Sequence, residues 1–324
     1  MLISPKWLPN GHFQSIYPAL FRKVYGIKYF REKIVTPDDD FLILDWSYVK
    51  KEPANSLIIL SHGLEGDSSR QYILGMVKLM NQHGFDCLAW NFRSCGGEMN
   101  QTARFYHSGA TEDLQMVIDH ALKKGYTKIH LIGFSLGGNL TLKYLGEKGS
   151  EINVAIEKAV VFSVPMDLKA CSLSIIKAEN SIYMHRFLKS LHPKVRLKAG
   201  KFPADIKLML NGEVKTLYDF DHFYTAPLHG FKSADDYYEK CSSMFFVENI
   251  TIPTAIITAK NDPIVPFESL PVKEIESNGN LHFFVTRDGG HCGFRPANLK
   301  DEFYWSEKKA LEFIQNDARE KDHS

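Results

Sequence analysis

The chain has 324 residues, of which 44% are hydrophobic and 12% aromatic, so it can bury a large core. Its formal net charge of +1 argues against nucleic acid as a partner. The five cysteines are scattered, and no cysteine and histidine cluster has zinc spacing, so we expect reduced thiols, no metal and a cytoplasmic protein. We expect no signal peptide, and no stretch approaches the roughly 18 apolar residues of a membrane span.

Strand and helix patterns alternate along the first half of the chain. Two strands at 31–35 and 41–49 flank a turn and predict an opening hairpin. Further strands follow at 56–60, 85–90, 128–134 and 158–164, and helices at 69–82, 111–124 and 136–145 lie between them. This alternation predicts an α/β fold with a mostly parallel, doubly wound sheet.

The alternation stops at about residue 165 and returns at about 251. The segment between has helical patterns at 175–191 and 234–243 and many aromatic residues, but no strand pattern. Because about 85 residues far exceed an ordinary crossover, we expect a helical cap inserted at about 165–250. Strands at 254–258 and 281–286 and a helix at 301–315 follow. The predicted organisation is one domain over 1–324, with an N-terminal arm at 1–24 and a core at about 25–164 and 251–318.

The most specific chemical signal is a G-x-S-x-G-G motif at 133–138, centred on Ser135. It falls where the strand at 128–134 turns into the helix that begins at Leu136. This is the position of a nucleophile elbow, in which a tight turn exposes a serine hydroxyl at the top of an α/β-hydrolase sheet. An aspartate there would suggest a dehalogenase or an epoxide hydrolase, whereas serine favours esters. We therefore predict that Ser135 is the nucleophile.

A serine nucleophile needs a base, and the base needs an orienting acid. In α/β-hydrolases these residues follow in the order serine, acid, histidine. Asp262 comes after the strand at 254–258, and His291, in a Gly-Gly-His-x-Gly setting, comes after the strand at 281–286. We predict that His291 is the base and Asp262 the acid, with Asp167 and Asp288 as the competing acids.

His62 is the alternative histidine, but its surroundings favour a different use. The segment HGLEG at 62–66 follows the strand at 56–60 and matches the loop that donates one oxyanion N–H group. The other donor lies at the start of the helix behind the nucleophile. We predict that the oxyanion hole consists of the backbone N–H groups of Leu64 and Leu136.

Five segments together resemble the YheT branch of the α/β-hydrolases. They read GHFQSI at 11–16, HGLEG at 62–66, FRSCGG at 92–97, YHSG at 106–109 and GFSLGGN at 133–139, and the similarity extends from about residue 6 to 315. Ser94 stands where the family usually has glycine. The resemblance implies a serine hydrolase of carboxylic esters, which in some relatives are acylglycerols or phospholipids. Eukaryotic members often carry an N-terminal membrane anchor, which we do not expect here.

Three of these features have no catalytic role that the residues suggest, namely the segment 11–16, Arg93 and the pair Tyr106 and His107. We predict that their role is structural. In this interpretation they tie the N-terminal arm to the loop beside the site.

The sequence therefore predicts a serine hydrolase of small or lipid-like esters that needs no organic cofactor or metal. The same residues would permit thioester hydrolysis or acyl transfer. The alternative that is not an enzyme is a non-catalytic binding module with this fold. The aromatic residues of the predicted cap further indicate an apolar pocket for short to medium acyl chains.

Overall fold

One sheet of eight strands organises the computed structural model, which describes residues 2–50, 55–208, 213–298 and 300–316. The strands are β1 (Phe30–Val35), β2 (Phe41–Ser47), β3 (Ser56–Ser61), β4 (Asp86–Asn91), β5 (Lys128–Phe134), β6 (Ile156–Phe162), β7 (Thr254–Ala259) and β8 (Leu281–Thr286). Their order in the sheet is β1-β2-β4-β3-β5-β6-β7-β8. Only the pairings of β2, with β1 and with β4, are antiparallel. The predicted mostly parallel α/β sheet is confirmed.

Helices cover both faces of this sheet. They are α1 (Gly11–Phe21), α2 (Gln71–Gln82), α3 (Thr111–Lys123), α4 (Leu136–Lys148), α5 (Leu168–Ile175), α6 (Ser181–Lys201), α7 (Leu217–Phe220), α8 (Ala226–Leu228), α9 (Ala234–Cys241), α10 (Val272–Ser277) and α11 (Trp305–Gln315). None of the helices in the described ranges combines the length and the apolar character that crossing a bilayer requires.

Alternate residues of the central strand β3 point into two separate cores. Leu57 and Ile59 pack in the core that contains the buried face of α3, whereas Ile58 and Leu60 pack in the core that contains α2 and α11. Burial on both faces explains why the central strands are nearly continuous apolar runs. The parallel strands β3 to β8 therefore form a rigid platform, and their carboxyl ends meet at one edge.

The segment from β6 to β7, residues 163–253, is called the insert below and contains helices α5 to α9. A π-helical turn, Asp221–Thr225, joins α7 to α8. A further apolar cluster consists mainly of insert residues, among them Leu188, Leu191 and Val195 of α6 and Phe220, and it also contains Phe105 from the loop after β4.

The helices differ from the sequence prediction in several places, and the short helices α7, α8 and α10 have no predicted counterpart. The helix predicted at 175–191 is divided, because α5 ends at Ile175 and α6 begins only at Ser181. Asn180 stabilises the break, since its side-chain amide donates to the carbonyl oxygens of Ser174 and Pro263 at 3.0 and 2.7 Å. The helix α1 was not predicted within the N-terminal arm. It begins at an Asn10 N-cap, but its glycine start and internal Pro18 are poor helix signals.

Candidate active site

Ser135 lies in the turn between β5 and α4, with a φ of 52°. Residues other than glycine seldom adopt this left-handed conformation. The flanking glycines are required by close packing: a Cβ at Gly133 would lie 2.5 Å from the carbonyl oxygen of Gly137, and one at Gly137 would lie 2.4 Å from that of Ser61. The start of α4 thus packs directly on the ends of β3 and β5, which gives Ser135 the geometry of a nucleophile elbow.

The structure brings Ser135, His291 and Asp262 together in a hydrogen-bonded chain. His291 Nε2 lies 2.9 Å from Ser135 Oγ, and His291 Nδ1 lies 2.9 and 3.1 Å from the two carboxylate oxygens of Asp262. The Asp262 side chain is fully buried and also accepts the backbone N–H groups of Ile264 and Val265 at 2.9 and 3.0 Å. These bonds hold the carboxylate in place. Because a carboxylate accepts hydrogen bonds, the proton of the neutral imidazole is assigned to Nδ1, and Nε2 is free to accept the proton of the Ser135 hydroxyl.

The competing acids are engaged elsewhere. Asp167 is the N-cap of α5, where its carboxylate accepts the N–H of Ala170 at 2.9 Å. The Asp288 carboxylate accepts the side-chain amide of Asn261 at 3.2 Å. Each of these bonds serves the local backbone or a neighbouring loop, as is usual for turn and cap aspartates.

His62 is placed as a structural residue. Burial lowers the pKa of this imidazole to about 4, so the ring is neutral at physiological pH. Its Nε2 accepts the N–H of Phe92 at 3.1 Å, and its Nδ1 donates to the carbonyl oxygen of Gly63 at 2.8 Å. The ring therefore links the loop after β3 to the loop after β4.

The loop at 62–66 lies against the nucleophile. A Cβ at Gly63 would be 3.2 Å from Ser135 Cβ, and the Gly63 N–H donates to the Tyr72 hydroxyl at 3.0 Å. Leu64 and Leu136 both line the cavity beside Ser135. The residues predicted to form the oxyanion hole thus share one cavity wall with the serine.

Helix α1 holds the loop that carries His291. The His291 N–H donates to Ser15 Oγ at 2.7 Å, and Ser15 Oγ donates to the carbonyl oxygen of Gly11 at 2.6 Å. A Cβ at Gly11 would lie only 1.7 Å from the carbonyl oxygen of Asn261, next to Asp262. The start of α1 is therefore wedged against both the acid loop and the base loop.

Gln14 completes this contact between α1 and the two loops. Its side-chain oxygen accepts the N–H of Gly289 at 2.7 Å and the side-chain amide of Asn261 at 3.0 Å. Asn261 Oδ1 in turn accepts the N–H of Gly290 at 3.0 Å. The segment at 11–16 thus ties the N-terminal arm to the site, as predicted, and the GHFQSI motif was the available signal.

Arg93 makes structural contacts, as expected, but the prediction that it ties the N-terminal arm to the loop beside the site is wrong. Its buried guanidinium binds Asp113 at 2.8 and 2.9 Å, Asp40 at 3.0 Å and Asp38 at 2.8 and 3.2 Å. Arg93 therefore joins the loop after β4 to the β1–β2 turn and to α3, not to the N-terminal arm. Ser94, the departure from the family glycine, keeps a φ of 65°, the left-handed conformation that glycine adopts freely.

Tyr106 supports the loop at 62–66 and likewise does not contact the arm in the bonds described. Its hydroxyl accepts the N–H of Glu65 at 2.8 Å and donates to the Glu65 carboxylate at 2.9 Å. His107 is turned inward, where its Nδ1 accepts the N–H of Gly109 at 3.1 Å. Both residues also line the cavity beside Ser135.

Two cavities meet at Ser135 and His291. The first is largely apolar and lies between the sheet and the insert; its lining includes Phe105, Ile175, Phe187, Leu191, Phe220 and Tyr238. The second is more polar and is lined in part by Tyr72, Arg70, Arg186 and Ser190. Within the described ranges, no group of three histidine, cysteine, aspartate or glutamate side chains is arranged to hold a metal ion.

Comparison with known proteins identifies the family of this site. A family model described as serine aminopeptidase, S33 (Hydrolase_4) matches residues 52–278. YheT of Escherichia coli strain K12, which is provisionally named an esterase, is 31% identical over 312 residues, covering 94% of this chain and 90% of that protein. The chain belongs to the YheT branch of the α/β-hydrolases.

Other members of the α/β-hydrolase family extend this placement. Phospholipase ABHD3 of Mus musculus is 30% identical over 318 residues, covering 95% of this chain and 77% of that protein. Among solved structures, the Pyrococcus furiosus esterase Pf2001 superposes with a TM-score of 0.57 at 18% identity, covering 90% of this chain and 97% of that one. The structural likeness shows the shared α/β-hydrolase fold. The sequence relatives place this YheT-branch chain among esterases and lipases.

Proposed function

We propose that the protein hydrolyses carboxylic esters by a serine mechanism in which Ser135, His291 and Asp262 form the catalytic triad. The observation that carries this proposal is the hydrogen-bonded chain from Ser135 Oγ through both ring nitrogens of His291 to Asp262. A serine hydroxyl is a weak nucleophile near neutral pH, and an adjacent, oriented imidazole is what activates it.

The reaction proceeds in two halves. His291 Nε2 takes the hydroxyl proton while Ser135 Oγ bonds to the ester carbonyl carbon, and Asp262 stabilises the resulting imidazolium. Collapse of the tetrahedral intermediate breaks the bond to the alcohol oxygen, which receives the proton from His291. Water then gives a proton to the same imidazole and attacks the acyl carbon. Collapse of this second tetrahedral intermediate breaks the bond to Ser135 Oγ, which receives the proton from His291, and the carboxylic acid leaves. No organic cofactor enters these steps.

The negative charge of the tetrahedral intermediate is bound by the backbone N–H groups of Leu64 and Leu136. Support comes from their positions on the cavity wall beside Ser135 and from the start of α4, whose dipole favours an anion there. Such preorganised donors are commonly a large electrostatic contribution to catalysis.

In this proposal the chain forms one domain, and the insert is its helical cap. The apolar first cavity binds the acyl group of a small or lipid-like ester. The aromatic and aliphatic lining supports this assignment, because an acyl chain gains free energy by leaving water there.

Labelling with a fluorophosphonate probe tests the proposal. The probe should modify Ser135 alone, because among the described serines only this one has an imidazole partner and the proposed oxyanion donors beside it. Ser135→Ala should lose the label and most turnover. Ser172→Ala is the matched control, since Ser172 lines the same cavity without a histidine partner in the described contacts. Label on another serine of active protein would reject the assignment.

A further inference from the structure

The two cavities that meet at Ser135 and His291 differ in charge. Among the described residues, the only acid on the wall of the first cavity is Asp221, which accepts hydroxyl groups from Thr225 at 2.6 Å and Tyr238 at 2.8 Å. Within the described residues no cation lies within 4 Å of Asp221. A buried carboxylate of this kind disfavours a second anion nearby, so the first cavity suits a neutral acyl group.

The second cavity has the opposite character, because two arginines, Arg70 and Arg186, line it. Among the described residues, neither guanidinium has a carboxylate within 4 Å. Arg70 is held in place by one backbone bond, from its Nη2 to the carbonyl oxygen of Glu65 at 2.6 Å. Arg186 lines the same cavity as Arg70, and partial burial together with the charge of Arg70 lowers the pKa of its guanidinium.

The one acid on the described wall of the second cavity, Glu65, is already neutralised. The Glu65 carboxylate pairs with Lys194 at 2.8 Å and also accepts the hydroxyl groups of Tyr106 and Ser190. The two arginines therefore add an uncompensated charge of +2 to a cavity that opens on the nucleophile. Arg186 is exposed and Arg70 is half-buried, so water and salt reach both charges, and an anionic ligand in the cavity would pair with them at close range.

We propose that Arg70 and Arg186 form an anion-binding subsite for the alcohol portion of the substrate, and that this alcohol carries a phosphate group. The acyl chain then lies in the first cavity, the ester carbonyl at Ser135, and the phosphate in the second cavity. Two guanidinium groups on separate elements suit a phosphate, because its three non-bridging oxygen atoms can accept hydrogen bonds from the N–H groups of both arginines. The inference rests on the proposed ester hydrolysis and specifies its leaving group.

A matched pair of substrates tests this subsite. 1-Butanoylglycerol and 1-butanoylglycerol 3-phosphate share the acyl chain and the ester position, and both dissolve as monomers, so a lipid surface plays no part. The measured quantity is the ratio of kcat/KM for the phosphate ester to kcat/KM for the neutral ester. We expect a ratio of about 10 or more for the wild type, falling about 10-fold in Arg186→Gln, since a charge-assisted pair is worth that much when partly exposed.

Arg186→Gln is preferred to a change at Arg70, because Arg70 also supports the loop at 62–66. Lys189→Gln is the matched control, since Lys189 is an exposed cation on α6 that lines neither cavity. It should keep the wild-type ratio, which separates local binding from long-range steering. Glycerol 3-phosphate should inhibit competitively, with a Ki about 10-fold higher in Arg186→Gln.

Several results would overturn the subsite. A wild-type ratio near 1, or an unchanged ratio in Arg186→Gln, would do so, and equal preference for 3-butanoylglycerate would overturn the assignment of phosphate. Failure of the proposed function is distinguishable, because Ser135→Ala would then retain turnover of both esters. Loss of turnover in Ser135→Ala with no effect of Arg186→Gln on the ratio rejects the anion subsite alone.

Discussion

Replacing Gly11 with alanine should impair catalysis although Gly11 is not expected to touch the substrate. The added Cβ would lie 1.7 Å from the carbonyl oxygen of Asn261, while real Cβ contacts stay beyond 3.0 Å, so α1 and the acid loop must separate by at least 1.3 Å. Asp262 is the next residue, and Ser15, one turn along α1, holds the His291 backbone. Misplacement of catalytic groups by about 1 Å costs on the order of 100-fold in rate.

Steady-state kinetics on a short-chain nitrophenyl ester would measure this effect. We expect kcat to fall about 10- to 100-fold while KM changes less, because the acyl cavity is not touched. Gly200→Ala is the control, since no atom lies within 4 Å of a Cβ at that position in α6. Circular dichroism and Tm should show Gly11→Ala still folded. Wild-type kcat and Tm in this variant would refute the idea that α1 positions the triad loops.

Three further outcomes are expected. Asp262→Asn should lower kcat by roughly 10³- to 10⁴-fold by favouring the wrong imidazole tautomer, while Asp167→Asn and Asp288→Asn cost much less; a severe loss only in Asp167→Asn would show that the acid is misassigned. For nitrophenyl esters, kcat/KM should rise two- to four-fold per methylene until the acyl cavity is full, and Phe220→Ala should shift that optimum; a profile flat from acetate to decanoate would count against an acyl pocket. Burial acts to raise the pKa of Asp40, but hydrogen bonds from neighbouring side-chain and backbone groups outweigh it and lower the pKa to about 2. Asp40→Asn should therefore destabilise the protein by about 2 kcal/mol at pH 7. The difference in unfolding free energy between wild type and variant should shrink as the pH falls from 4 to 2.

The fold and the candidate triad were predictable because their signals are local. A parallel strand buried on both faces is a continuous apolar run, and the glycines around Ser135 are required by contacts within a few residues or with the neighbouring strand. The positions of Asp262 and His291 follow from the order of strands, since each residue comes directly after a strand of the parallel sheet. Chain order then brings both loops to the edge of the sheet where Ser135 lies.

The contacts of α1 and the charges of the second cavity were not predictable in the same way. The bond between Ser15 and His291 joins residues 276 positions apart, and no periodic pattern encodes such a pairing. Helix α1 itself has weak local signals, so its stability depends on tertiary packing against the loops. Arg70 and Arg186 look like ordinary surface charges in the sequence, because only the fold places them on one cavity wall without a carboxylate.

Backbone strain in this protein is concentrated at the edge of the sheet that holds the candidate site. Seven non-glycine residues in the described ranges have a positive φ, and six of them lie in loops that follow strands β3, β4, β5, β6 and β8: Glu65, Ser94, Ser135, Ser163, Cys292 and Phe294. Each such residue costs on the order of 1 kcal/mol or more, so the surrounding contacts must hold it in place. Those contacts are present: the Cys292 N–H donates to Ser163 Oγ at 3.0 Å, and Glu65 is held by Tyr106 and Lys194. Because these contacts fix the loops before the substrate binds, the hydrogen-bond donors of the site are already oriented. Preorganised donors of this kind can stabilise a transition state more strongly than the bound substrate.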